Sequence, residues 1–330
     1  VKRPYLLPLN PLFAAAVATR NFCYDKGLLR VHHLTKPVIS VGNLSTGGAG
    51  KTPFVLALAQ LLDSMELKAD VLTRGYGRST HSTARVNPAG TSAEYGDEPL
   101  LLARHLPVFV GDSRYHAGLL TERLMGDRVD VHLLDDGLQH RQLARNIEVV
   151  LLHRDDFRDR LLPAGHLREP LPSLRRAHVL VLREEDANLA AQSRAAAAPA
   201  ARHWRVCRAL RFASVTGQPA SPERPLAFCA IARPHDFFAS LRAHGCSLVA
   251  TEAFRDHHRY TAADVATLIR RAAAVGAMSF LTTTKDLCNL TPAELAELSA
   301  AAPVYIAELS VSFVNPEAVT SDLRELLRTS

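Results

Sequence analysis

The stretch VISVGNLSTGGAGKTPFVLALAQLL, Val38 to Leu62, runs a short β-rich apolar segment into three closely spaced glycines, then a lysine, a threonine and a helical segment. No other part of the chain constrains the fold as much. Backbone N–H groups of a glycine-rich turn at a helix N-terminus point at one spot, and phosphate binds there. Gly47, Gly48 and Gly50 allow the close approach, and Thr46 to Gly50, with Ala49 between the glycines, form the cradle. Lys51 is expected to reach the β- and γ-phosphates of a nucleotide, and Thr52 to ligate Mg²⁺. One position departs from the usual pattern: Ser45 stands where a glycine is wanted.

From Lys36 to Leu182 short β-rich runs alternate with helical segments, which predicts a mostly parallel sheet with crossover helices. Strands are expected at 38–41, 69–73, 108–110, 131–134, 149–152 and 179–182. The helix expected over 52–65 is apolar nearly all round, which suits burial between the sheet and another layer. The alanine-rich segment Asn188 to Arg202, with a proline near its end, marks a seam. Beyond it RVCRALRF reads as a strand, a proline-bearing turn region follows, and a second alternating unit begins at Leu226. Helices are expected there over 235–244, 261–274 and 317–327, the second opened by Thr261 and Asp264 as a capping box. The expected fold is α/β: a P-loop NTPase-like, mostly parallel sheet with helices on both faces, over residues 1–200, and a second, smaller α/β domain over 201–330. The C-terminal helix is free to pack back on the first.

Three further motifs carry chemistry. VDVHLLDDGLQH, Val129 to His140, is an apolar strand ending in acids, where a nucleotide enzyme holds Mg²⁺ beside the phosphates. Asp135 and Asp136 both qualify, but neighbours on a continuing strand face opposite ways, so at most one is expected as a direct ligand. In YGDEP, Asp97 is either a helix cap or a base for an acceptor hydroxyl. In FRDHHRY, two histidines beside an acid are a surface turn, a metal site lacking further ligands, or partners of a catalytic carboxylate across a cleft. Basic loops add Arg74 and Arg78 in TRGYGR, His166 and Arg168 in LLPAGHLREP, and Lys285 in TTTKD. Together they suggest cationic loops at the carboxyl ends of the strands.

The formal net charge of +6 favours anionic partners without choosing among them. Cys23, Cys207, Cys229, Cys246 and Cys288 show neither a CxxC pair nor zinc spacing, so neither disulfides nor structural zinc is expected. No 18-residue apolar run is present. The segment RPYLLPLNPLFAAAVATRNFCYDKGLLR reads as a helix packed on the domain or as one resting on a membrane surface, and a signal peptide is not expected.

With these residues in hand, the chain resembles the tetraacyldisaccharide 4′-kinases, the lipid A 4′-kinase family. PVISVGNLSTGGAGKTP, LTRGYGR, YGDEP, LLDDGLQH, LLPAGHLREP, FRDHHRY and TTTKD occur in the family's order over nearly the whole length, and Ser45 is how that family's loop looks. The resemblance implies ATP- and Mg²⁺-dependent transfer of the γ-phosphoryl group to the 4′-hydroxyl of a tetraacylated disaccharide 1-phosphate, giving lipid IVA. It implies a peripheral enzyme on the cytoplasmic face of the inner membrane, whose partners are the lipid A disaccharide 1-phosphate and the membrane surface. Lys51 and Thr52 fall on the phosphate and Mg²⁺ positions, Asp135 and Asp136 on the acidic pair, Asp97 on the base and His257 on its partner. His140, Arg168 and Arg74 fall near the phosphates or the acceptor. Thr284 departs from the pattern, standing where an acid is expected.

The alternative reading is a membrane-associated P-loop ATPase switch, but Thr46 occupies the place of that class's signature lysine. No nucleic-acid partner is expected, since no basic-aromatic stripe occurs.

Overall fold

The protein is described here by a computed structural model covering residues 3–329. Its strands are β1 (Val38–Asn43), β2 (Ala69–Thr73), β3 (Ala84–Arg85), β4 (Val108–Val110), β5 (Val131–Asp135), β6 (Ile147–Leu151), β7 (Val179–Arg183), β8 (Arg202–Ser214), β9 (Pro225–Cys229), β10 (Ala250–Ala253), β11 (Ser279–Thr283) and β12 (Val304–Phe313). They form one sheet in the order β10-β9-β11-β12-β8-β7-β6-β1-β5-β2-β4-β3. All six strands expected between Val38 and Leu182 are present, and the fold is α/β. The sequence reading named no strand at β3, β10, β11 or β12.

Alternation along each strand sends side chains to two cores. Ile39 and Val41 of β1, Val71 of β2 and Leu133 of β5 meet helix α2 (Lys51–Ser64) through Phe54, Val55 and Leu58. Val38, Leu72 and Leu134 face the other way, against Ala117 of the helix Arg114–Met125. A sheet covered on both faces needs apolar residues on both, which explains the continuous apolar runs. Helix α2 is buried as expected, and part of its cover comes from the far end of the chain. Val319 and Leu323 of the helix Pro316–Arg328 join the same core, and Trp204 Nε1 donates to Asp322 there at 2.9 Å.

One junction decides where the two halves face. Residues Arg202 to Val206 of β8 pair in parallel with β7, while Val206 to Ser214 pair antiparallel with β12. β9, β10 and β11 continue parallel to one another and to β12. The carboxyl ends of the second set of strands therefore point back at those of the first, and ligand-binding loops gather at such ends. The two sets of loops meet: a Cβ on Gly47, in the loop after β1, would lie 2.4 Å from the Cβ of Ala232, in the loop after β9.

The N-terminal helix α1 (Asn10–Asp25) is both anchored and exposed. Arg20 and Asn21 donate to the fully buried Glu169 at 3.1 and 3.0 Å, and Arg141 pairs with Asp25 at 2.6 Å. Leu12 and Phe22 of the same helix stay 71% and 55% exposed. Both readings of this segment thus have a physical basis. Among the described residues, no helix is long and apolar enough to cross a membrane.

Candidate active site

The loop after β1 shows why Ser45 is tolerated. Thr46 N donates to His166 O and Arg168 N to Leu44 O, at 2.8 and 2.7 Å, so Ser45 sits in a short antiparallel bridge with Leu167. Extended backbone has no need of glycine. The left-handed positions come next: Gly47, Gly48 and Gly50 have φ of +69°, +65° and +78°. A side chain at Gly47 or Gly48 would also strike Ala232 or Arg233. Glycine is required at these two places by conformation and by contact together.

Lys51 leaves the first turn of α2 and turns back over the loop. Its Nζ donates to Asn43 Oδ1 at 2.9 Å and lies 3.3 Å from Asp136 Oδ1. Arg168 grips the same carboxylate with both ends of its guanidinium, at 2.7 and 2.8 Å, and reaches Asn43 Oδ1 at 2.7 Å. Burial pushes the Asp136 pKa up, but Lys51 and Arg168 outweigh it and hold the group well below the carboxylate range. Arg168 belongs to the site; Asn43, at the end of β1, was not anticipated and had no motif signal beyond its place before the loop.

β5 ends at Asp135 and Asp136 turns with φ +53°, so the strand does not continue through both acids and it is the turn that separates them. Asp135 is buried, accepts from Thr73 Oγ1 at 3.2 Å, and leaves Oδ1 buried without a hydrogen-bond partner. Burial, the nearby Glu98 charge and Asp136 push its pKa up to about 7, against the pull of Lys51. A buried, incompletely satisfied carboxylate beside a second acid suits a divalent cation. Among the described residues no group of three or more His, Cys, Asp or Glu could hold a metal by itself. That fits Mg²⁺, which takes one or two carboxylates and completes its shell with water and phosphate oxygens.

Asp97 opens the helix Asp97–Ala103 behind Gly96. His257, in the turn after β10, has its Nδ1 3.2 Å from Asp97 Oδ2, and Asn289 Nδ2 donates to the same oxygen at 3.1 Å. Burial raises the Asp97 pKa, but these contacts and the Lys285 charge together bring it below the ordinary value. His258 instead bonds Asp264 at 3.0 Å at the start of the next helix, which separates two histidines the sequence left equivalent. Asn289 was missed, since a lone asparagine after TTTKD carries no spacing signal.

A family model described as Tetraacyldisaccharide-1-P 4'-kinase matches residues 2–328. The chain belongs to that family. A tetraacyldisaccharide 4'-kinase from Koribacter versatilis is 44% identical over 329 residues, 97% of this chain and 98% of that protein. One from Geobacter metallireducens is 37% identical over 344 residues, 98% and 97% of the two chains. The crystal structure of an "apo" form of LpxK from Aquifex aeolicus in complex with ATP superposes with a TM-score of 0.77 at 31% identity, covering 99% of this chain and all of that one.

Within this kinase-family fold the basic loops divide. Arg78 is buried, donating to Ser82 O and to Asp112 at 2.7 and 3.1 Å, and so closes its own loop. His166 Nδ1 is 2.6 Å from Asp159. The Arg78 Nη atoms and His166 Nδ1 are thus engaged by neighbouring backbone or acid. Lys285 is reassigned: its Nζ is 3.3 Å from both His257 Nε2 and Asp256 Oδ1, in the Asp97 cluster. Arg74 is exposed, and its charge acts on His140. Burial, Arg114, Arg145 and Arg74 push the His140 pKa down to about 3, so it is a neutral imidazole at physiological pH. Arg233, which the sequence reading did not single out, lies over Gly48 and bonds His153 and Asp155.

Proposed function

We propose that this chain transfers the γ-phosphoryl group of ATP to the 4′-hydroxyl of a tetraacyldisaccharide 1-phosphate, the activity its family's name describes. The observation that carries the residue-level reading is the convergence of two sites. Lys51 and Asp136 lie at the end of the β1–β5 half, and Asp97 with His257 lies across the facing loops. Glu98, next to Asp97, is close enough to raise the Asp135 pKa.

In this reading the N–H groups of Thr46, Gly47, Gly48, Ala49 and Gly50 hold the ATP phosphates, and Lys51 neutralises charge on the transferring group. Thr52 with Asp135 or Asp136 would hold Mg²⁺, which neutralises phosphate charge when bound. Asp97 Oδ1 or Oδ2 takes the proton of the acceptor hydroxyl, the hydroxyl oxygen bonds to the γ-phosphorus, and the bond to the ADP oxygen breaks. His257 orients Asp97. Arg168, freed from part of its grip on Asp136, and His140 and Arg74 face the phosphates or the acceptor.

The working units are taken as 1–200 and 201–330, with β8 shared between them. α1 rests on the cytoplasmic face of the inner membrane, where acyl chains of the acceptor stay in the bilayer. Its exposed Leu12 and Phe22 support this. The deciding experiment is transfer from labelled ATP to the purified disaccharide acceptor, with Asp97→Ala alongside. Absence of product from the parent rejects the function; full activity in the variant rejects the base.

A further inference from the structure

We infer that Lys285 is a positioning residue that fixes the proton of His257 on Nδ1, so that the ring donates to Asp97; the inference rests on Asp97 being the base. An ammonium is donor-only. Lys285 Nζ stands 3.3 Å from His257 Nε2, and a contact there is favourable only if Nε2 presents its lone pair. The ring proton of the neutral histidine is then on Nδ1, 3.2 Å from Asp97 Oδ2, where a carboxylate accepts it. The opposite tautomer would set N–H against N–H at one end of the ring and lone pair against carboxylate at the other. An imidazolium would set two cations side by side.

The other charged groups around the ring fit this assignment. Asp256 Oδ1 is 3.9 Å from His257 Nε2 but only 3.3 Å from Lys285 Nζ, so the lysine holds a further carboxylate that faces Nε2. Glu98 Oε1 lies 3.9 Å from the same ammonium, and the Tyr76 ring packs on the histidine at 5.1 Å between centroids. Remove the ammonium, and Asp256 becomes an acceptor for a proton on Nε2.

Lys285 is also held in place. It sits in the short helix Thr284–Leu287, whose next residue, Asp286, is fully buried. The Asp286 carboxylate accepts from Ala230 N at 2.7 Å, Tyr260 Oη at 2.9 Å and Thr283 Oγ1 at 2.5 Å. This knot joins the loops after β9, β10 and β11, and Asn289 just beyond it supplies the second donor to Asp97. Two donors on one oxygen hold the carboxylate in a single orientation, and a ring in the wrong tautomer would forfeit one of them.

The test uses the full chain with ring-¹⁵N histidine, the His257 signals being assigned by their loss in His257→Gln. At neutral pH the parent should show an N–H-type Nδ1 and a lone-pair-type Nε2. In Lys285→Met, Nε2 should gain N–H character, and kcat for transfer should fall about tenfold or more with KM for ATP within about twofold. Lys285→Arg, also donor-only, should restore both signals and most of the rate. If Lys285→Met does not fold, Lys285→Leu, which also lacks a donor, provides the same reading. Unchanged Nδ1 and Nε2 signals in the lysine-less variant overturn the inference, as does an Arg variant that folds but behaves like Met. A parent that phosphorylates no disaccharide acceptor would reject the proposed function while leaving the tautomer measurement intact.

Discussion

Asp97 and His257 are 160 residues apart in the chain, and Asp97 Oδ2 and His257 Nδ1 are 3.2 Å apart in space. The loops that carry them belong to opposite halves of the sheet and meet only because β8 pairs parallel on one side and antiparallel on the other. Asp97→Asn keeps the shape and removes the base. Transfer should fall by about 10²- to 10⁴-fold, with ATP affinity by calorimetry unchanged; a variant retaining most of its rate would sink the assignment.

The Arg168–Asp136 pair is bidentate, and only a planar fork reproduces that geometry. Arg168→Lys should therefore behave nearly as badly as Arg168→Ala, lowering kcat about tenfold or more. Steady-state kinetics of the two variants side by side decides this. A lysine variant close to the parent would show that charge alone matters.

Asp135 gives the nucleotide-free protein a pH dependence of definite sign. Its pKa of about 7 in the fold lies above the ordinary 3.8, so the folded state binds the proton more tightly than the unfolded chain. Stability must then fall as pH rises between those values and stay at the lower level above them. Asp136 has the opposite shift and acts only at pH below the ordinary value, where its contribution is lost. Asp135→Asn should raise Tm at pH 8 by roughly 2–4 °C or more relative to the parent, with a smaller gain at pH 5. Scanning calorimetry at the two pH values checks this, and an equal change at both would contradict it.

Ser45 is 1% exposed and extended, so a glycine there gains nothing. Ser45→Gly should leave ATP affinity unchanged and cost about 0.5–1 kcal/mol of stability. Gly48→Ala is the contrast: its positive φ and the Arg233 side chain 2.8 Å from the added Cβ should weaken ATP binding. Binding isotherms and urea titrations separate the two cases, and tighter ATP binding by Ser45→Gly would refute the account.

Truncating α1 would leave Glu169 buried without Arg20 and Asn21, so its loss would report on folding as well as on lipid contact. The cleaner change is Leu12→Ser with Phe22→Ser, both exposed. Co-sedimentation with anionic vesicles should drop several-fold while Tm stays within a few degrees. Unchanged sedimentation would remove the proposed role of the helix in membrane binding.

What was legible in the chain was local. Gly47, Gly48 and Gly50 before Lys51 announce a phosphate cradle because positive φ and close approach admit little else. The apolar runs 38–41 and 131–134 announce buried parallel strands for a similar reason. Acids at the end of β5 could be read as metal ligands, since strand ends are where side chains meet phosphates. All of these depend on residues within one turn or one strand of each other.

What tertiary structure alone decided were the partners. Asn289 on Asp97 and the choice of His257 over His258 depend on loops brought together by the β8–β12 junction, whereas Lys285 on His257 rather than on a phosphate, and Asn43 beneath Lys51 and Arg168, depend on neighbouring loops within one half of the sheet. The engagement of Arg78 Nη and His166 Nδ1 by neighbouring carbonyls and acids is likewise visible only in the folded chain. The seven motifs marked which loops carry chemistry by residue type and order. Pairing across a sheet is a long-range contact that local spacing does not encode, so only the folded chain could say which atoms of those loops touch.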